Sequence, residues 1–223
     1  MILKIKDLTK ILNVSEKTIY HWISENKVPT KKINNQHRFN KEEITDWLLQ
    51  QRKSPVQKTG WLALSSPAIS LSQLIQFKNL VYDIEGNDLP AIIKNAAKTI
   101  SRRSETQKQA STFTLASNSY KMPIIKESGI AIQHPRNPII TDIHNEQLYI
   151  AFCKPELSNE SSVHTVLFLA CANYQRHLSI LCKLSALCEH REFVEMLKNS
   201  GSYIDIIHYI KNKESDWEKI GEK

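Results

Sequence analysis

Glycine is scarce in this chain, five residues in 223. None of the five falls in a G-x-x-x-x-G-K-[ST] or G-x-G-x-x-G run, so the sequence offers no loop that could cradle a nucleotide's phosphates. Cysteine is sparser still. Cys153, Cys171, Cys182 and Cys188 form no C-x-x-C pair and lie in apolar stretches such as YIAFCK and FLACAN. That spacing excludes a disulfide framework and reads as reduced, buried thiols of a cytoplasmic protein. Long hydrophobic runs are missing as well. The longest, VLFLACA at 166–172, is far short of the roughly 20 residues that cross a bilayer. MILKIKDLTK at the N-terminus has no apolar h-region, so neither a membrane partner nor export is expected. His144, His164, His190 and His208 lack metal-ligand spacing to one another; they read as surface or capping residues, and no metal or other cofactor is expected.

What is present suits a folded protein. Hydrophobic residues make up 41% of the chain, enough for one generous domain or two small ones. The charge is uneven. Residues 1–58 carry twelve Lys and Arg against six Asp and Glu, a surplus of six within a whole-chain total of +7. A local basic excess suits a module that binds a polyanion, because each neutralised phosphate releases counterions. The same excess would also make a solvated, solubilising surface.

Pattern decides between these. Leu8, Ile11 and Leu12 fall at helical spacing, and Asn13-Val14 interrupts them. Ser15 with Thr18 opens a second helix that carries Ile19, Trp22 and Ile23 on one face. On the other side Glu16, Lys17, Thr18, Tyr20 and His21 are free to meet base edges and phosphates, as the second helix of such a unit does in the major groove. In VPTKKINNQHRF, Pro29 stops the helix and Asn34-Asn35 sits between two short extended arms, which predicts a β-hairpin carrying Lys31, Lys32, His37 and Arg38. NKEEITDWLL then starts a third helix, capped by Asn40, that returns Ile44, Trp47 and Leu48 to the core.

This quarter of the chain resembles the excisionase and MerR-like class of winged helix-turn-helix DNA-binding domains. The resemblance implies Ser15 to Ile23 as recognition element, Lys31 to Phe39 as wing, and DNA as partner. A small helical protein-docking module with an incidental basic face is the other reading of the same residues.

Residues 51–60, with Pro55 and Gly60 as breakers, read as a tether between domains at 1–50 and 61–213, with 214–223 as a tail. Beyond the tether NLVYDIEG reads as a strand. DLPAIIKNAAKTIS reads as a helix capped by Asp88, with Ile92, Ile93, Ala96, Ala97 and Ile100 in one stripe. GIAIQ, LYIAFC and HTVLFLACA are strand-like, and helices are expected at about 174–188, 191–199 and 202–213. The stripe Leu178, Leu181, Leu184, Leu187 reads as domain core rather than interaction surface. Strands interleaved with helices predict an α/β domain with a mixed sheet flanked by helices.

The order of elements, with GIAIQH at 129–134 and NYQRHLSILCKLSALCEHREF at 173–193, resembles the IIA component of the fructose, mannitol and nitrogen-regulatory branch of the bacterial phosphotransferase system. The resemblance implies that His134 accepts a phosphoryl group from the histidine phosphocarrier protein, supported by His177 and by an arginine for which Arg102 or Arg103 in SRRSE is nearest. It implies a phosphohistidine carrier, provided the site at His134 is competent. Those residue types suit the task. A neutral imidazole can attack phosphorus and later surrender the group. An arginine fork and a helix N-terminus stabilise the moving oxyanion. Two positions depart from the family's motif: Gln133 stands where it has proline, and Pro135 where it has glycine.

The expectation is a cytoplasmic regulator that binds DNA, takes phosphate on His134 and answers to it through a regulated partner protein or a homodimer. The alternative is a phosphorylation-independent DNA-binding regulator whose IIA-like domain only dimerises or docks a partner. A metabolic IIA subunit is a third reading, which no permease or IIB segment in the chain supports.

Overall fold

Every helix signal of the first fifty residues is met by a helix. The computed structural model describes residues 2–12, 14–50, 69–103, 124–125, 128–133, 146–154, 163–171 and 174–221. The chain divides into two compact units, Met1–Ile69 with Tyr174–Ser185 and Ser215–Lys223, and Ser70–Asn173 with Ala186–Glu214. The expected tether at 51–60 lies outside the described residues.

In the first unit, β1 (Ile2–Leu3), α1 (Ile5–Leu12), α2 (Glu16–Ser24), β2 (Lys31–Ile33), β3 (Gln36–Asn40) and α3 (Lys41–Gln50) follow one another. Ser15 caps α2: its Oγ accepts from the Thr18 N–H at 3.1 Å, which satisfies one of the donors a helix start leaves open. Asn26, at φ 53°, takes the left-handed residue that ends α2. Asn34 (φ 49°) and Asn35 (φ 60°) form the two-residue turn between β2 and β3, where both central residues need positive φ and asparagine tolerates it. The hairpin pairs Lys31 with Arg38, Lys32 with His37 and Ile33 with Gln36. β1 adds to the far side of β3, an element that two residues of sequence did not signal. Asn40 caps α3 by accepting from the Glu42 N–H at 2.8 Å, and Trp47 Nε1 donates to the Lys27 carbonyl.

Leu3, Leu8, Leu12, Ile19, Trp22, Val28, Phe39, Ile44 and Leu48 make the buried core of this unit, together with Leu178 and Cys182. These last two come from α6 (Tyr174–Leu187). All four residues of the leucine stripe are buried, yet Leu178 belongs to the core of the helix-turn-helix rather than to that of the sheet. A face expected to serve the α/β domain alone is in part the seat of another.

The second unit holds α4 (Leu71–Leu74), a 3-10 turn at Phe77–Asn79, β4 (Leu80–Ile84), α5 (Leu89–Arg103), β5 (Ile124–Ile125), β6 (Ile130–Gln133), β7 (Gln147–Cys153), β8 (Thr165–Ala170), α7 (Arg191–Lys198) and the start of α8 (Tyr203–Gly221). Its sheet runs β4-β7-β8-β6-β5. The β4/β7 and β6/β8 pairs are parallel, and the β7/β8 and β5/β6 pairs antiparallel. This is the mixed sheet that interleaved strands and helices led one to expect. Strand alternation puts Ala131, Tyr149, Ala151, Val166, Phe168 and Ala170 on one face, where the stripe Ile92, Ile93, Ala96, Ala97 and Ile100 of α5 covers them. Gly86 admits the close turn into α5, since a Cβ there would lie 2.5 Å from the Ile92 nitrogen. Glu214 ties α8 to α4, accepting from the Ser70 and Ser72 hydroxyls at 2.9 and 3.0 Å and from the Leu71 N–H. The last helix therefore continues through much of the segment expected as a tail.

Candidate functional site

The basic surface of the first unit is built on α2 and the β2–β3 hairpin. Burying Ile19 and Trp22 leaves Glu16, Lys17, Tyr20 and His21 exposed on α2. Thr18 is half-buried and tied to its cap, its Oγ1 2.8 Å from Ser15 Oγ. Tyr20, 51% exposed, meets His37 edge-on with ring centroids 6.4 Å apart, so α2 and the β2–β3 hairpin are joined by an aromatic contact. Arg38 is held along the wing: Nη1 donates to the His37 carbonyl at 3.1 Å and Nη2 to Gln36 Oε1.

Acidic neighbours temper the charge, and the expected set of DNA contacts left them out. Glu25 takes His21 at 3.2 Å and Lys27 at 2.8 Å, and the hydrogen bond from Lys27 holds its carboxyl below the usual range. Glu43 of α3 takes Lys31 at 3.0 Å. Among the described residues Lys17 and Lys32 make no ion pair and are exposed. The i,i+4 spacing of His21 and Glu25 was readable; the Lys31–Glu43 pair depends on how α3 folds back on the hairpin.

His134 lies outside the described residues, so its flanks carry what can be said. Gln133 closes β6 opposite Phe168 of β8 and is 1% exposed. His177 sits in the first turn of α6, where helix N–H groups point outward, and is 2% exposed. Arg102 is exposed in the last turn of α5, and Arg103 is the final residue of that helix. His177 thus lies at the start of one helix, and Arg102 and Arg103 at the end of another.

The remaining titratable groups have structural work. His164 bridges two segments: its Nε2 lies 2.8 Å from the Ser128 carbonyl and its Nδ1 2.9 Å from Thr165 Oγ1. A carbonyl only accepts, so Nε2 carries a proton and donates it to Ser128. Burial first, with Lys198 adding to it, lowers its pKa against the opposing bond to Ser128. It is a half-buried strut rather than the surface or capping residue expected. His190 precedes α7 as its N-cap residue, and His208 is exposed. Burial raises the Cys153 thiol to about 11, which makes it inert as a nucleophile. Among the described residues no group of three or more His, Cys, Asp or Glu could hold a metal ion. None of the described helices is long and apolar enough to cross a membrane.

Comparison with known families finds two matches along the chain. Residues 2–52 match a helix-turn-helix domain family, and residues 73–213 match the family described as phosphoenolpyruvate-dependent sugar phosphotransferase system, EIIA 2. No curated protein matches the chain.

Proposed function

The chain belongs to the EIIA type 2 family of the phosphoenolpyruvate-dependent sugar phosphotransferase system, with a helix-turn-helix domain ahead of it, and on that premise we propose that it is a DNA-binding regulator whose state is set by a phosphoryl group on His134. The group would pass from a phosphoimidazole of the histidine phosphocarrier protein to a ring nitrogen of His134. One N–P bond forms as the other breaks, and the carrier's imidazole is released. Donor and acceptor are the same kind of nitrogen, so the step is close to balanced and reversible. His177, near the N-terminus of α6, and Arg102 or Arg103 would steady the oxygens.

One observation supports a regulator over a plain carrier. The helix that presents His177 in its first turn also places the next residue, Leu178, and Cys182 one turn later in the buried core of the helix-turn-helix. A rearrangement at the head of α6 is therefore felt by the domain that would read DNA. Lys17, Lys32 and Arg38 carry that reading, with Tyr20 and His21 at the base edges; Thr18, Lys31 and His37 shape the surface.

The test is phosphoenolpyruvate-dependent labelling by the general phosphotransferase proteins, followed by DNA binding of labelled and unlabelled chain. An acid-labile phosphate present in wild type, absent in His134→Ala and accompanied by a changed DNA affinity is the expected result. DNA binding with no label, beside a control IIA domain that labels, would leave the phosphorylation-independent regulator.

A further inference from the structure

Six large hydrophobic side chains are exposed among the described residues, and the two most exposed of them, Phe77 at 76% and Ile204 at 75%, share a neighbour. Phe77 opens the 3-10 turn at Phe77–Asn79 and sets its ring edge-on to that of Tyr203, with centroids 5.9 Å apart. Ile204 is the next residue of α8. All three belong to the second unit. An apolar side chain exposed alone is ordinary, whereas a pair gathered on one spot marks a surface that meets another. Neither does much for the fold of its own chain, since three quarters of each stays in solvent. The spot is also firmly held. The Tyr203 hydroxyl donates to the Ile75 carbonyl at 3.4 Å. Ser202 pins the start of α8, its Oγ donating to Asp205 Oδ2 at 2.6 Å and accepting from the Asp205 N–H at 3.2 Å. A surface fixed beforehand has less freedom to lose when it is covered.

Charge says what the partner carries. Lys78 follows Phe77 and Asp205 follows Ile204, and both are exposed. A patch flanked by one sign would select a partner of the other, an acidic or a basic peptide. A patch flanked by one cation and one anion is matched by a surface with the same pair in reverse order. A second copy of this chain, turned about a two-fold axis, offers that surface. The Phe77 side of each patch then lies on the Ile204 side of the other, with Lys78 of each copy opposite Asp205 of its mate. We propose that this patch joins two copies of the chain in an isologous dimer, with Phe77 and Ile204 at its apolar centre and the Lys78–Asp205 pair, made twice, at its rim. The proposal depends on neither phosphorylation nor DNA binding. Where the helix-turn-helix reads DNA, it supplies two recognition helices in place of one.

Sedimentation equilibrium of the full chain tests this, in a concentration series up to about 1 mM, where even a millimolar association is populated. The expected result is a monomer–dimer equilibrium with no larger species, since an isologous contact closes on itself. Phe77→Ser and Ile204→Ser, checked for an intact fold by circular dichroism, should each weaken the dimer by on the order of 10²-fold, because an apolar anchor is lost twice. Lys78→Glu and Asp205→Lys should each weaken it by roughly tenfold, as two rim pairs turn repulsive. The double variant carries the same pairs with signs exchanged and should return to near the wild-type constant. Loss of the tie between Asp205 and Ser202 cannot produce that rescue, so it separates a charge pair from a weakened helix start. A chain that stays monomeric throughout the series overturns the proposal and leaves the patch to a partner of another kind. A dimer indifferent to Phe77→Ser and Ile204→Ser overturns it too, as does a double variant no better than Lys78→Glu alone.

Discussion

Shortening Leu178 to alanine probes the seat of the helix-turn-helix without touching its basic surface. The leucine is 3% exposed and lies in one cluster with Leu8, Leu12, Ile19, Trp22 and Phe39. A buried Leu→Ala change costs about 2–5 kcal/mol, the removed methyls and the cavity together. Taking about 3 kcal/mol, the folded-to-unfolded ratio of this unit falls by roughly two decades. Domains of this size hold about 5–15 kcal/mol, so the unit remains folded at 25 °C. Two results are then expected at once. The urea midpoint should drop by about 1–3 M, since slopes of this class are about 1–3 kcal/mol per M, while DNA affinity in buffer stays as it was. Trp22 and Trp47, with ring centroids 5.8 Å apart, report the transition by fluorescence in a Trp61→Phe, Trp217→Phe background. A Leu12→Ala partner closes a double-mutant cycle, and residues sharing one cluster should couple by about 0.5–3 kcal/mol. An unmoved midpoint, or strict additivity with Leu12→Ala, would show that α6 takes no part in this core.

Two further outcomes follow from charges. Lys32→Ala and Arg38→Ala should each lower the slope of log affinity for DNA against log salt by about 0.9; Lys31→Ala should do less, because Glu43 already engages that ammonium at 3.0 Å, and Glu43→Gln should raise affinity. A slope unchanged in Lys32→Ala, measured by fluorescence anisotropy, would remove the wing from the interface. His164 titrates below its usual 6.5 in the fold, so the folded state binds its proton more weakly than the unfolded chain. Its contribution to stability is complete above about pH 6.5 and is lost as pH falls through the lowered value. Denaturation midpoints taken from pH 7.5 to 5 should show this loss in wild type, and His164→Asn should flatten it; equal pH slopes would refute the assignment.

The elements that announced themselves did so for local reasons. Ser15, Asn34-Asn35, Asn40 and the stripe of α5 each act on their own few residues, and each appears where expected. Partnerships set by distant chain did not show. β1 has only two residues and exists because β3 offers an edge. The Lys31–Glu43 pair and the Glu214 clamp join residues 12 and more than 140 apart. α6 shows why even a correct stripe can mislead: Leu178, Leu181, Leu184 and Leu187 are all buried, but periodicity reports that a face is covered, not by which domain. For the site, the sequence alone drew attention to His134, His177 and the substitutions flanking the histidine. That the amide of Gln133 is buried and, among the described residues, without partners needed the sheet register and the packing beneath α5.

How a phosphate would reach the DNA surface can be separated by salt. A phosphoryl group brings up to about two negative charges, and a field acting through solvent is screened with a length of about 8 Å at physiological ionic strength and about 3 Å at 1 M. A signal carried by that field should fade as salt rises. A signal carried by α6 has a different character. His177 and Leu178 are successive residues of one helix, and Leu178 and Cys182 share the face that enters the helix-turn-helix core. Packed cores answer displacement by shifting between discrete arrangements, and that response does not depend on ionic strength. Total DNA affinity must fall with salt in both cases, because counterion release governs it. The ratio of affinities of phosphorylated and unphosphorylated chain is what distinguishes them. Measured between 50 and 300 mM salt, a constant ratio assigns the signal to the helix, and a ratio that collapses towards one assigns it to the field and refutes the role given to α6.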